Sequence, residues 1–322
     1  MNAIQKNSTM KKNQYLCIAV LLAMTACSGN DEIQYDPASE PLLKLTATQS
    51  HSANGLLEQT RVEVGSLYTS TTGFDGGEYV RVYFNNASES YQVGAADPSS
   101  YLSVLSEGSL RYPFANVGET PLYAVYPAAS AEAGIHTVAY DQTSDANYKA
   151  SDLMFAMKNV DLTDKTVTQN LDFFHQLIRL KIVLTKGEEL GNITKLELKN
   201  VKRAVSITPS DIALTQGSVS SAADDNDDDI LVFSGSVDDT DPHTFYAVFP
   251  AQEWNTTPFL ELTADGQPIT YTLKKSDWIN GYEYTLTLDV DKLPESVMLE
   301  ANITLADWED VDIESASRVV RK

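Results

Sequence analysis

The chain contains the stretch Tyr123-Ala124-Val125-Tyr126-Pro127-Ala128, and about 120 residues later it contains Tyr246-Ala247-Val248-Phe249-Pro250-Ala251. An apolar residue, Leu122 or Phe245, precedes each copy. This spacing is longer than one solenoid repeat, which spans roughly 20–50 residues, and fits a whole small domain of roughly 100–150 residues. We therefore expect two related domains in tandem, each with a strand that ends at the proline.

Apolar and polar residues alternate in several other segments, most clearly at residues 79–84, 178–184, 269–273, 282–290 and 297–305. Alternation puts one set of side chains on one face of a strand, so each segment is predicted to be a half-buried strand. Long helical periodicity is hard to find. The sequence therefore predicts an all-β protein of packed antiparallel sheets.

The repeat also gives a domain boundary. We expect the first strand near residues 44–48, about 80 residues before the first hexapeptide copy. The same distance counted back from the second copy ends in a polar stretch at residues 161–168. We divide the chain near residue 165, into domains at 41–165 and 166–322. Residues 269–274 and 282–290 are predicted to form a hairpin whose loop ends in Asn280-Gly281.

The first 26 residues have the pattern of a secretory signal. Lys11 and Lys12 precede an apolar run at residues 15–24, which is too short to span a bilayer. Cys27 directly follows Ala26, as in a bacterial lipoprotein signal, so we expect cleavage before Cys27 and acylation of its thiol, for example with palmitate. The alternative is ordinary secretory cleavage beside a stray cysteine. Residues 27–40 are predicted to form an acidic tether.

Cysteine content and charge exclude several classes of protein. The other cysteine is Cys17, inside the signal, so the mature chain has no disulfide. Loss of Lys6, Lys11 and Lys12 with the signal takes the formal net charge from −22 to −25. Nucleic acid binding requires a basic face and is excluded as a function. Membrane contact should come through the lipid and not through basic patches.

A series of short motifs covers nearly the whole mature chain and resembles the fimbrillin family, the subunits and accessory proteins of type V pili. The motifs, in order, are Cys27, Thr60-Arg61, the first hexapeptide copy, Ser151-Asp152-Leu153-Met154-Phe155-Ala156, Phe173-Phe174-His175-Gln176-Leu177, Trp278-Ile279-Asn280-Gly281-Tyr282-Glu283-Tyr284 and a closing strand that ends at Trp308.

The resemblance implies two tandem transthyretin-like antiparallel β-sandwich domains of Greek-key topology. It also implies a lipoprotein displayed on the cell outer membrane and cut after Arg61, which leaves Val62 as the new N-terminus. Removal of the first strand would open a groove for a strand from another fimbrial subunit, in a fimbrium that supports cell adhesion to a host or bacterial surface ligand. Stalk, anchor and tip roles remain open, and with them whether Arg61 is cut.

The sequence gives little support for an enzyme. Its four histidines, His51, His136, His175 and His243, are scattered and lack metal-ligand spacing. No nucleophile elbow, P-loop or His-Glu-x-x-His motif is present. We therefore predict no catalytic residues, no cofactor and no metal site.

Two further interpretations stay open. The acidic run at residues 224–229 offers carboxylate ligands for Ca²⁺, but it lacks the spacing of an EF-hand loop and is better interpreted as a solvated loop. The alternative function is a surface glycan-binding lipoprotein whose β-sandwich modules present an aromatic ring to sugars. Trp254 is the tryptophan outside the fimbrillin-like motifs and is the candidate for that role.

Overall fold

The structure is a computed structural model that describes residues 37–50, 74–97, 100, 102–207, 228–254, 258–273, 278–290, 297–299 and 304–307. Residues 37–322 form one compact unit. The fold is all-β, as predicted, and its sheets are arranged like sandwiches. Two helices of six residues each are present in the described ranges, and no helix there is long and apolar enough to cross a bilayer.

The first half of the chain, up to His175, forms one large sheet. Its order is β3-β2-β5-β7-β8-β1-β4. Val93 and Leu105, just past the two edge strands, form an antiparallel bridge that closes the sheet around a core. The elements are a 3-10 helix (Pro37–Ser39), β1 (Leu45–Ser50), β2 (Tyr79–Phe84), β3 (Ala87–Gln92), β4 (Ser103–Val104), β5 (Glu119–Tyr126), α1 (Ala128–Ala133), β6 (Ile135–Thr137), α2 (Asp145–Ala150), β7 (Met154–Asp161) and β8 (Gln169–His175).

The second half, from Ile178, forms two sheets around a second core. The five-stranded sheet has the order β12-β10-β14-β15-β17, and the four-stranded sheet has the order β13-β9-β16-β18. A small ladder between β11 and β6 joins the halves. The strands are β9 (Ile178–Lys186), β10 (Ile193–Val201), β11 (Ala204–Ser206), β12 (Asp228–Val237), β13 (His243–Phe249), β14 (Pro258–Ala264), β15 (Gln267–Leu273), β16 (Tyr282–Val290), β17 (Val297–Leu299) and β18 (Thr304–Asp307).

The predicted hairpin between residues 269–274 and 282–290 is wrong. β15 pairs with β14 and β17, whereas β16 pairs with β9 and β18 in the other sheet. Their apolar faces meet in one core from opposite sheets, so the two strands cannot pair edge to edge. The hairpin in this region is β14–β15, whose turn residues Asp265 and Gly266 both have positive φ, 50° and 74°, as a type I′ turn requires.

Among the strands in the described ranges, most pairs are antiparallel and three are parallel. β1 pairs with β8, β9 with β16 and β15 with β17 in the parallel sense. A parallel pair needs a crossover connection between its strands. The strands of the β1–β8 and β9–β16 pairs are distant in sequence, and β15 and β17 are connected through β16 of the other sheet. In each half, the first strand thus has a parallel neighbour: β8 lies beside β1, and β16 lies beside β9.

The first four residues of each hexapeptide copy lie at the end of a strand, β5 or β13, with the same alternation. In β5, Leu122 and Ala124 are buried in the first core, and the matching residues of β13 are Phe245 and Ala247, which contribute to the second core. Val125 leaves this pattern because it belongs to the second core although its strand lies in the first sheet. The repeat therefore marks a core strand in each half, and the first copy also contributes to the junction between them.

The two halves share a buried junction. Leu153 and Phe155 of the first half belong to the same apolar cluster as the core of the second half. Sheet membership changes between β8 and β9, about ten residues after the predicted boundary near 165. A division into domains remains a proposal, and on sheet membership we move it to the β8–β9 connection.

Candidate functional site

The first strand, β1, lies between two strands of very different length. It runs parallel to β8 over six residue pairs, from Leu45 opposite Gln169 to Ser50 opposite Phe174. On its other side it meets the two-residue strand β4, antiparallel, through two pairs. The backbone of β8 is therefore held by β7 on one side and by β1 on the other. We call the place that β1 and the five preceding residues, 40–44, occupy the β1 slot.

Three side chains of the slot point into the first core. Leu43, Leu45 and Ala47 are buried, and Ala47 is fully inaccessible to solvent. Their spacing of two residues is that of one face of a strand. Burial of a leucine side chain is worth roughly 1.5–3 kcal/mol, so the strand contributes substantially to the first core. In chain order, the three inward side chains are therefore two large ones followed by a small one.

The outward face of β1 is tied to β8 by a ladder of polar side chains. The Thr46 hydroxyl donates to Asn170 Oδ1 at 3.1 Å, and Asn170 Nδ2 donates to the Thr48 hydroxyl at 3.1 Å. The Thr48 hydroxyl in turn donates to Asp172. The ladder repeats every second residue and therefore fixes the register between the two strands.

A nearly buried ion pair closes the N-terminal end of the slot. Glu40 Oε2 lies 2.8 Å from Lys165 Nζ, and their side chains are 12% and 11% exposed. Lys165 also donates to the carbonyl of Pro113 at 2.7 Å, and the Arg111 guanidinium donates to the Glu40 carbonyl. The predicted tether ends at Glu40, yet this residue belongs to the packed end of the slot. The sequence around Glu40 contains no pattern that predicts Lys165 as its partner.

The predicted lipidation and processing residues, Cys27, Arg61 and Val62, lie outside the described residues. Their position in the chain relative to the strands is nevertheless known. Arg61 lies after β1 and before β2, so a cut there separates β1 from the other strands that the structure describes. β1 would then be held by the hydrogen bonds, apolar contacts and ion pair of the slot.

The described histidines have structural partners. His175 Nδ1 lies 2.9 Å from Asp152 Oδ2. His136 is buried, with Nδ1 2.8 Å from the Ser130 hydroxyl and Nε2 2.9 Å from the Ser151 carbonyl, and burial lowers the pKa of its imidazole. Both ring nitrogens of His136 are thus occupied. No group of three potential metal ligands occurs among the residues whose placement is described.

Two carboxylates at the end of the acidic run are already neutralised. Asp228 pairs with Arg203, and Asp229 pairs with Lys199. The Asp229 N–H donates to Asp228 at 2.9 Å and, with the nearby Arg203, lowers the pKa of that carboxyl. The first four residues of the run, 224–227, lie outside the described residues, so calcium binding there stays an open interpretation.

Trp254 is a core residue and not a sugar-facing one. It is 1% exposed and packs against Phe249, Phe259 and Trp278 with ring centroids 5.0–5.9 Å apart. Its Nε1 donates to the Lys199 carbonyl at 2.9 Å. A ring in this position has no face to offer to a glycan, so the alternative function loses the residue on which it was based.

Comparison with known proteins identifies the family. The model of the fimbrillin-like family matches residues 60–308. The chain belongs to the fimbrillin-like family. A fimbrillin-like protein is a fimbrial-type subunit, a structural protein associated with the cell surface. The resemblance found in the sequence is thereby confirmed.

Solved structures show the same fold. A candidate cell adhesion protein from Bacteroides uniformis matches this fimbrillin-like chain with a TM-score of 0.55 at 15% identity, covering 83% of this chain and 98% of that one. A second candidate cell adhesion protein, from Bacteroides ovatus, matches with a TM-score of 0.55 at 16% identity, covering 85% and 100%. No curated protein matches the chain. At these identities the structures support the fold alone.

Proposed function

We propose that this fimbrillin-like protein is a structural or accessory subunit of surface fimbriae that assembles by replacing β1. The precursor is lipidated at Cys27 and carried to the cell outer membrane, where a protease cuts after Arg61. β1 then leaves, and a strand of another subunit enters the β1 slot. The assembled fimbrium supports adhesion to a host or bacterial surface.

The observation that carries this proposal is the position of β1. The strand fills the first core and covers an edge of β8, yet it precedes the proposed cut and keeps no covalent link to the other strands after it. Its departure exposes the pockets of Leu43 and Leu45 together with a row of unpaired N–H and C=O groups on β8. Such an edge is a template for strand addition, and the open pockets favour an apolar, alternating donor.

The test is processing of the purified mature protein with an arginine-specific protease. We expect mass spectrometry to find a new N-terminus at Val62, and size-exclusion chromatography to show loss of residues 27–61 and a series of oligomers. The matched control is Arg61→Gln, in which the bond before Val62 should stay uncut and the protein should remain monomeric under the same conditions. A processed protein that keeps its N-terminal fragment and remains a monomer would contradict strand replacement.

A further inference from the structure

Lys165 depends on the strand that the proposed function removes. Its ammonium group lies 2.8 Å from Glu40 and 2.7 Å from the Pro113 carbonyl, and its side chain is 11% exposed. Among the described residues Glu40 is the one carboxylate within ion-pair distance of Lys165. Glu40 lies before the cut at Arg61, whereas Lys165, Pro113 and Arg111 lie after it.

Departure of β1 therefore removes the acid of Lys165, and a strand that fills the slot again buries its ammonium group beside the Pro113 carbonyl. The Pro113 carbonyl stays beside it but carries no charge to neutralise it. Removing one partner of a buried ion pair is strongly destabilising, because the remaining charge is poorly solvated. The Arg111 guanidinium loses the Glu40 carbonyl at the same time, so two cationic side chains lose a partner at one end of the slot.

We propose that the β1 slot selects its donor by a carboxylate: the incoming strand carries an acidic residue at the position of Glu40, opposite Lys165. This proposal rests on the proposed function and specifies the partner of the same slot. A donor that runs in the direction of β1 carries an acid at position i, residues of leucine size at i+3 and i+5, and a small residue at i+7. These offsets are those of Glu40, Leu43, Leu45 and Ala47.

The acid and the apolar residues have different tasks. Apolar side chains at alternate positions fill the core whichever protein supplies them, so they give affinity with little discrimination. A carboxylate opposite a desolvated ammonium discriminates, because a neutral residue there leaves Lys165 buried and uncompensated. The ion pair also fixes the register, since a shift by two residues keeps the apolar pattern but moves the acid away from Lys165.

The probe is a synthetic peptide of residues 37–50, titrated by fluorescence anisotropy into protein that has been processed and freed of its N-terminal fragment. We expect the Glu40→Gln peptide to bind about tenfold more weakly than the natural one, the size of effect for a lost charged hydrogen bond. The matched control is the Lys44→Gln peptide, which changes an exposed charge in the same strand and should bind within about twofold of the natural peptide. In the Lys165→Met protein, natural and Glu40→Gln peptides should bind alike.

Equal binding of the natural and Glu40→Gln peptides to processed wild-type protein would overturn the carboxylate proposal while leaving strand replacement intact. Failure of every peptide to bind, or failure of the fragment to leave, would instead overturn strand replacement and this proposal with it. A second measurement uses the intact chain: Glu40→Gln alone should lower the melting temperature more than Glu40→Gln combined with Lys165→Met. The reverse order would show that Lys165 needs no acid.

Discussion

The side-chain amide of Gln142 binds the backbone of Val248 as a neighbouring strand would. Gln142 Nε2 donates to the Val248 carbonyl and Gln142 Oε1 accepts from the Val248 N–H, both at 2.8 Å. Val248 belongs to β13, an edge strand of the four-stranded sheet. The Gln142 N–H also donates to the Leu231 carbonyl of β12, at 2.9 Å. One residue of the first half thus covers an edge in each sheet of the second.

Replacing Gln142 with leucine should destabilise the protein. The variant leaves the N–H and carbonyl of Val248 buried without a partner, and each unsatisfied group costs about 1–3 kcal/mol. We expect a lower free energy of unfolding in urea. Gln92→Leu, an exposed glutamine at the end of β3, is the matched control and should change it by less than about 0.5 kcal/mol. Equal stability of the two variants would show that the Val248 edge needs no cap.

The ion pair between Arg179 and Glu283 should be costly to break from one side. The two residues are register partners on β9 and β16, their side chains are buried, and the Arg179 guanidinium lies 5.7 Å from the centre of the Tyr246 ring. Glu283→Gln removes the carboxylate that faces the buried guanidinium, so we expect a loss of about 3–5 kcal/mol by thermal or urea unfolding.

The double variant Arg179→Met with Glu283→Leu removes both charges and should recover most of that loss. If the double variant is as unstable as Glu283→Gln, the cost comes from packing around Tyr246 and not from the lost attraction between the two charges.

Stability should fall as the pH drops below about 6.5, the usual pKa of histidine, and His136 should account for part of the change. Burial lowers the pKa of His136 in the folded state. Between the two pKa values, His136 is therefore protonated in the unfolded chain and neutral in the folded one. The stabilising contribution of neutral His136 is therefore complete above the unfolded pKa and is lost as the pH falls towards the folded one.

The measurement is urea unfolding between pH 7 and pH 5. His136→Gln should be less stable at pH 7, because it disturbs the contacts with Ser130 and Ser151, but its stability should depend less on pH in this range. An unchanged pH dependence would mean that other groups carry the effect.

Local patterns predicted the strands well and their partners less well. Alternation at residues 79–84 and 282–290 matches the bounds of β2 and β16. It reports that a strand has one buried face, and says nothing about which sheet the strand joins. Residues 269–273 and 282–290 were therefore predicted to be a hairpin although each faces the same core from a different sheet. The Asp265-Gly266 turn carried the true hairpin signal.

At the candidate site, too, local patterns predicted the strand but not its long-range contacts. The resemblance of Thr60-Arg61 to a family motif predicts a cut after Arg61, which lies outside the described residues, whereas the pattern near residues 44–48 predicted β1. The ion pair between Glu40 and Lys165 joins residues 125 positions apart, and such long-range pairings depend on topology that no local pattern reveals. The burial of Trp254 was missed for the same reason, since a tryptophan beside polar residues in sequence lies among distant aromatic rings in the fold.

Strand replacement is tested most directly by locking β1 in place with a disulfide. Thr46 and Val104 are opposite each other in the antiparallel pair β1–β4, and the Leu105 N–H donates to the Leu45 carbonyl beside them. They form a non-hydrogen-bonded pair, for which the Cα atoms lie about 4.5 Å apart, within the range of a disulfide. Cys27 lies in the same N-terminal fragment as position 46, so the experiment uses a Cys27→Ser background in which no native thiol competes.

The measurement is size-exclusion chromatography of processed Thr46→Cys/Val104→Cys protein, oxidised and then reduced, with the Thr46→Cys single variant as control. Strand replacement predicts that the oxidised protein keeps its N-terminal fragment and stays monomeric, and that reductant releases the fragment and starts assembly. Oligomers that form equally well with the disulfide closed would show that β1 does not have to leave, and would contradict assembly through the β1 slot.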